Sequence, residues 1–301
     1  AERSDAECAF ELLALGVMAV WGTNFVVIKL ALAHLPPLTL AALRFAFAFL
    51  PLALFIKRPA VSWTNLATYV VLIGAGQFGL LFTAMRADIT PGLASLVVQI
   101  QVFFTIGLSM RLTGERIAPY QIAALLLAVG GLATIALHTD GSATPLGLAL
   151  VVGAALCWAL GNMTSRAAGT VNMLAYVVWS SAFAVPPLVG LALLTEGWPA
   201  ISTGLQQATT ATWAAVAWQA VGNTMFGYGA WGWLLGRHPA ASVAPLALLV
   251  PVFGLGASAL LMGEPLPGWK LAAFALVMAG LTLGILWPRL AAKILAGRHT
   301  A

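Results

Sequence analysis

Trp21 and Asn24, Gln77 and Phe78, Gln99 and Gln101, Trp158 and Asn162, Asn223 and Tyr228, and Ser242 and Pro245 are closely spaced pairs, each set inside a long apolar stretch. Their chemistry is uncharged hydrogen bonding combined with flat apolar contact. Amides and a hydroxyl suit the polar ends of a small molecule. Rings suit an aromatic or large apolar group, with stacking contributing about 0.5–1.5 kcal/mol per good pair beyond area burial. Acid–base, nucleophilic or metal chemistry needs other residues, and those are placed peripherally. Glu2, Asp5, Glu7, Glu11, Asp88, Glu115, Asp140, Glu196 and Glu264 all fall in a terminus, a loop or the last turn of a stretch. His34, His138, His238 and His299 sit at stretch ends or in the tail, without metal-ligand spacing. Cys8 and Cys157 read as two free thiols. No catalytic residue, metal or cofactor is expected, and the chain does not read as an enzyme.

The elements that must position these side chains follow from composition. The 301 residues are 61% hydrophobic and 8% charged, against about 25% charged in a soluble domain. The solvent is therefore lipid, and the fold class is all-α integral membrane. Ten apolar segments are expected at 10–33, 37–56, 66–85, 91–112, 118–138, 145–167, 172–194, 210–235, 240–262 and 267–287, each near the roughly 20 residues a helix needs to span the hydrocarbon. They lack the alternation of an outer-membrane barrel. Ala1 to Glu7 is polar and acidic, unlike a signal peptide, and a leading Ala reads as a trimmed start. The formal charge of +5 is scattered over segment ends and gives no nucleic-acid signal. The connection from Thr195 to Thr209 is expected to lie along a membrane surface.

An amide in hydrocarbon costs several kcal/mol unpaired, so the amides must face protein or a wet cavity. Interhelical hydrogen bonds, at about 1 kcal/mol each, are one account of any single amide. The full set spans segments 1, 3, 4, 6, 8 and 9, which favours a shared central cavity.

The chain also repeats itself. Gly107, Ser109, Leu112, Gly114, Glu115, Ala123, Ala124, Gly131 and Leu132 recur 149 positions on as Gly256, Ser258, Leu261, Gly263, Glu264, Ala272, Ala273, Gly280 and Leu281. Gly16, Trp21 and Lys29 match Gly153, Trp158 and Arg166 at an offset of 137. Gly74, Phe78 and Gly79 match Gly222, Phe226 and Gly227 more loosely. The expected organisation is a tail at 1–9, a five-helix repeat at 10–138, a second at 145–287 and a tail at 288–301. Five is odd, so the repeats are inverted in the membrane, a hallmark of secondary transporters with a midplane site between the repeats. With the N-terminus inside, ten Lys and Arg fall on the inner side, and Lys29, Arg44, Arg86 and Lys270 on the outer side. Both termini are then cytoplasmic.

Several residues have two readings. Arg44 enters segment 2 by seven residues, hence roughly 10 Å. Snorkelling or loop anchoring is the expected use, and meeting a substrate carboxylate is the other. Snorkelling suffices for Lys29 and Arg166. Glu115 and Glu264 are expected to cap segments 5 and 10. Pro245 and Pro251 are expected to kink segment 9. Gly280 and Gly284 form a lone GxxxG, for which local packing is preferred over a dimer face.

The ten segments in two repeats, Trp21-Gly22-Thr23-Asn24 with Lys29, and the Gly-Glu turn after segments 4 and 9 resemble the drug/metabolite transporter superfamily, in particular its ten-helix EamA-type exporter branch. The resemblance covers essentially the whole chain and is sharpest from Pro251-Val252-Phe253 through Gly263-Glu264. The first copy departs from it, with Val102 where the second has Pro251. The resemblance implies a bacterial inner-membrane exporter of small metabolites, most similar to exporters of aromatic or large neutral amino acids, working by alternating access. Its partners would be a small-molecule substrate and the lipid bilayer. Phosphate-bearing substrates need several convergent Lys or Arg at depth, and Arg44 stands alone. A lipid-modifying enzyme needs an acidic pair or an activated nucleophile, and a passive pore needs a charged ring or filter.

Overall fold

The computed structural model describes residues 2–113, 118–138, 140–237 and 244–298, with side chains described at 10–108, 110–112, 118–138, 140–234 and 246–287. Glu115 and Ser242, and with them the Gly114-Glu115 turn, lie outside the described residues.

Eight helices are long and apolar enough to cross a membrane. They are α1 (Glu2–Ala31), α2 (Pro37–Leu54), α3 (Trp63–Ala87), α4 (Pro91–Leu112), α5 (Pro119–Ala136), α6 (Pro145–Ala167), α7 (Met173–Thr195) and α10 (Gly268–Arg298). The two other expected segments are also helical. The run 210–237 (α8) is long but diluted by Gln219, Asn223 and its glycines, and Leu246–Met262 (α9) is shorter. Among the described residues there is no strand, apart from one isolated bridge between Ile89 and Ala143. Between α7 and α8, residues Gly197–Gln207 form a short helix with Trp198 exposed.

Local chemistry explains the starts. Pro37, Pro91, Pro119 and Pro145 occupy first helical positions, where a missing N–H costs no hydrogen bond. The side chains of Ser62, Thr144, Asn172 and Thr209 accept from backbone N–H groups three residues on, satisfying donors a helix start leaves open.

The interiors are irregular in matching places. Val71–Gly79 of α3 and Gln219–Phe226 of α8 are π-helical, a widening frequent at functional sites. Val98–Ile100 of α4 and Ala244–Leu248 leading into α9 are 3-10 turns. The expected kink at Pro251 is not what interrupts this element: Pro251 sits in the first turn of the α-helix Leu249–Met262, where proline is tolerated. α4, which has no proline beyond Pro91 at its start, is interrupted all the same.

Packing follows the repeat. α1 packs on α9 and α8, as α6 packs on α4 and α3, while α2 meets α7 and α5 meets α10. The α5–α10 contact depends on the repeat mates Gly131 and Gly280. A Cβ on Gly280 would lie 2.5 Å from Ala124 O, and one on Gly131 would lie 2.9 Å from Ala273 O. Such approach is how helices associate where lipid removes the hydrophobic drive, so Gly280 is committed inside the chain and not to a dimer face.

Hydrogen bonds fix the directions. Lys29 at the end of α1 donates to Met85 O (2.6 Å) and Arg86 O (2.9 Å) at the end of α3. Lys29 thus caps carbonyls instead of snorkelling freely. Asp88, just past α3, accepts from Thr144 at the start of α6 (2.9 Å). The end of α1 and the start of α6 therefore share one end of the bundle, and the two helices run in opposite senses.

Candidate functional site

A cavity of about 340 Å³ lies between helices of both halves, within the range of small-ligand sites. The structure brings ten of the twelve candidate residues to its wall: Trp21 and Asn24 on α1, Gln77 and Phe78 on α3, Gln99 and Gln101 on α4, Trp158 and Asn162 on α6, and Asn223 and Tyr228 on α8. The interrupted backbones present several of them: Gln77 and Phe78 lie in the π segment of α3, Asn223 in that of α8, and Gln99 in the 3-10 turn of α4. Pro245 has a described backbone, in the 3-10 turn before α9, but its side chain lies outside the described set, as does all of Ser242.

The polar groups of the wall divide into two classes. Some are committed to the fold. Asn24 and Gln219 exchange reciprocal amide bonds of 3.3 and 2.8 Å between α1 and α8. Gln101 accepts from Asn162 (3.1 Å) and Thr105 (3.2 Å), tying α4 to α6. The Trp21 indole donates to Asn223 O (3.3 Å). For these, interhelical bonding is realised in the cavity wall itself. The side-chain amides of Gln77, Gln99 and Asn223 form no hydrogen bond within the described protein, although all three residues are buried. These are the groups left for a ligand, because they line the cavity and are not spent on the fold.

The aromatic part is larger than the sequence indicated. Trp21 contacts Tyr228 at 5.7 Å and Trp231 at 5.4 Å between ring centroids, and Phe78 contacts Phe45 and Phe82 edge-on. Tyr69 and Trp231 line the cavity and were not among the candidates. Trp231 follows Tyr228 by three residues, the spacing that shares a helix face, and that signal would have found it. Gln219 carries its own signal, a lone amide in an apolar run. Among the described residues no Asp, Glu, Lys or His lines the cavity, and no group of three or more His, Cys, Asp or Glu could hold a metal.

Arg44 is placed differently from expectation. It does not snorkel; it is 2% exposed, its Nε and Nη1 have no hydrogen-bond partner, and its guanidinium lies 3.6 Å from the Phe78 ring centroid.

The cavity reaches Ser165 and Met173, at the end of α6 and the start of α7. The opposite end of the bundle is stitched by carboxylates. Gly263, at φ 66°, is in the left-handed region that a side chain disfavours, and it turns Glu264 back across α9. Glu264 does not cap α10. Its carboxylate accepts from Gly92 N (3.1 Å) and Thr90 Oγ1 (2.5 Å) at the start of α4, from Ser258 Oγ, and from Lys270 Nζ (2.9 Å). Lys270, fully buried, also donates to Ser142 (3.0 Å). Glu196 likewise accepts from Leu38 N (2.5 Å) and Thr39 N (3.1 Å) at the start of α2.

The comparisons with known proteins bear on the whole chain. It is 41% identical over 279 residues to a Salmonella typhimurium protein described as a probable amino-acid metabolite efflux pump, covering 91% of this chain and 93% of that one. An Escherichia coli protein of the same description is 39% identical over 280 residues, covering 91% of this chain and 94% of that one. A crystal structure superposes with a TM-score of 0.61 at 19% identity, over 94% of this chain and 99% of that one, and so shares the fold. The profile of the EamA-like transporter family matches residues 9–137 and again residues 145–286. The chain belongs to the EamA-like transporter family and is a multi-pass membrane transporter, not an enzyme.

Proposed function

We propose that this transporter exports neutral amino acids with large or aromatic side chains by alternating access, with the cavity as its substrate site. The observation that carries the reading is the division of the cavity wall. The free amides of Gln77, Gln99 and Asn223 stand among Trp158, Tyr228, Tyr69 and Phe78, with no carboxylate among the described residues of the wall. Such a wall pairs the polar head of an amino acid and stacks its ring. Among the described residues it offers a cationic drug no acidic partner at depth. The names of the two relatives add support for amino-acid metabolites as cargo and for efflux as the direction.

The site draws on both halves, as a midplane site between inverted repeats requires. Helix pairs that match under the repeat support rocking of one half against the other. We assign the end carrying Lys57, Arg58 and Arg166 to the cytoplasm by the positive-inside rule. The cavity then faces the cytoplasm while the Glu264 and Glu196 contacts hold the periplasmic end together, as expected of an exporter awaiting cargo.

Uptake of labelled amino acids into proteoliposomes, with counterflow, tests this. Phenylalanine, tryptophan and leucine are expected to be transported and to trans-stimulate one another. If all three behave as in empty liposomes, the substrate assignment falls. Transport without trans-stimulation would remove alternating access.

A further inference from the structure

We propose that Arg44 is the anion-binding residue of the central site, taking the carboxylate of the substrate once the Phe78 ring moves aside; this rests on the amino-acid reading above. Cations within a membrane span normally reach the interface or find a partner, because an unpaired charge in a dry interior is costly. Arg44 does neither. It forms no ion pair, its Nε and Nη1 are unpartnered, and the residue is 2% exposed. Among the described residues the ion pair is that of Lys270 with Glu264, at the end of the bundle where α2 and α4 begin.

The surroundings point inward. The guanidinium stacks on Phe78 at 3.6 Å and is flanked by Phe45 at 5.4 Å. Tyr69 and Tyr228 are also near it. Phe78, Tyr69 and Tyr228 all line the cavity, so the charge sits one ring behind its wall. Phe78 is carried by the π segment Val71–Gly79, and the cavity it lines gives its ring somewhere to move. A guanidinium edge, Nε–H with Nη2–H or Nη1–H with Nη2–H, matches a carboxylate bidentately. The cavity offers uncharged partners elsewhere, so the arrangement sorts ligand ends: carboxylate to Arg44, amine to the free amides, ring to the aromatic wall.

The test uses the full chain in nanodiscs, titrated calorimetrically with L-phenylalanine, L-phenylalaninamide (carboxylate removed) and phenylacetate (amine removed). Wild type is expected to bind phenylalanine at least about tenfold more tightly than the amide, the scale of a charged hydrogen bond. Arg44→Gln should weaken phenylalanine by roughly tenfold to a hundredfold and leave the amide within about twofold. Arg44→Lys, which keeps the charge and loses the fork, should retain a carboxylate preference at reduced affinity, and it stands in if Arg44→Gln does not fold. Equal weakening of phenylalanine and its amide in Arg44→Gln would show a structural role and overturn the proposal. So would a wild type that does not distinguish the two. If wild type binds neither, the amino-acid reading falls and phenylacetate decides: Arg44-dependent binding of phenylacetate upholds the anion site, and its absence overturns both.

Discussion

Lys270 and Glu264 form a buried ion pair whose two members do not depend on each other equally, and that asymmetry yields a quantitative expectation. Lys270 Nζ has Glu264 and Ser142 as partners, whereas Glu264 has Lys270, Thr90, Gly92 and Ser258. Breaking a buried pair from one side costs about 3–5 kcal/mol when the remaining charge is stranded. In Lys270→Met the carboxylate keeps three donors, so the cost should fall below that range, to about 2 kcal/mol. In Glu264→Ala the ammonium keeps one hydroxyl, and the Gly92 N–H and two hydroxyls lose their acceptor, so the cost should reach about 4–5 kcal/mol. The double variant strands no charge and should cost about 3 kcal/mol, which leaves a coupling of about 3–4 kcal/mol. Reversible unfolding in mixed micelles, followed by circular dichroism, measures all three. Additivity within about 0.5 kcal/mol, or a larger loss for Lys270→Met than for Glu264→Ala, would refute this account of the cluster.

Three further outcomes follow from the same geometry. Asn24→Ala leaves the Gln219 amide unpaired between α1 and α8 and should cost about 1–2 kcal/mol of unfolding free energy, whereas Gln77→Ala should reduce transport at nearly unchanged stability, and Trp158→Ala, which also loses packing against the core, should reduce transport while expression is retained; the same assay with proteoliposome uptake separates them. Gly280→Val drives a side chain into Ala124 O and should destabilise by about 2 kcal/mol or more, seen as a lowered unfolding midpoint with loss of the α5–α10 contact in cross-linking. Transport should persist when the proton gradient is collapsed, since no carboxylate lines the cavity among the described residues; strict dependence on the gradient in proteoliposomes would contradict this.

What the sequence made legible was type and depth. An amide inside an apolar run must be paired or wet, so Asn24, Gln77, Gln99, Gln101, Asn162 and Asn223 could be picked out individually. Whether each amide is spent on a neighbour or left open depends on partners distant in the chain, as with Asn24 and Gln219, and composition carries no such information. The π segments were equally hidden. Gly74, Gly76 and Gly79 signal slack in α3 but not which hydrogen bonds shift. Arg44 was misjudged for a physical reason: depth alone argues for snorkelling, and only the ring of Phe78 against the guanidinium keeps the charge inside. Glu264 was assigned to the nearest helix start, α10, but the left-handed Gly263 turns it toward α4.

The two halves match in helix order, packing and backbone irregularity, yet the contacts at the ends of the bundle are not evenly shared. Glu196, Glu264 and Lys270 tie the starts of α2 and α4 to the loops of one end, while the cavity extends toward Ser165 and Met173 at the other. In a pseudo-symmetric carrier the two ends exchange roles during transport, so the contacts of the closed end have to be strong enough to hold and weak enough to release. A buried pair with three auxiliary donors suits that requirement, because its carboxylate need not be left bare when the lysine withdraws. An anion-seeking Arg44 at the centre and a self-satisfied carboxylate at the end then divide the charge chemistry of the chain: one is completed by cargo, the other by the fold.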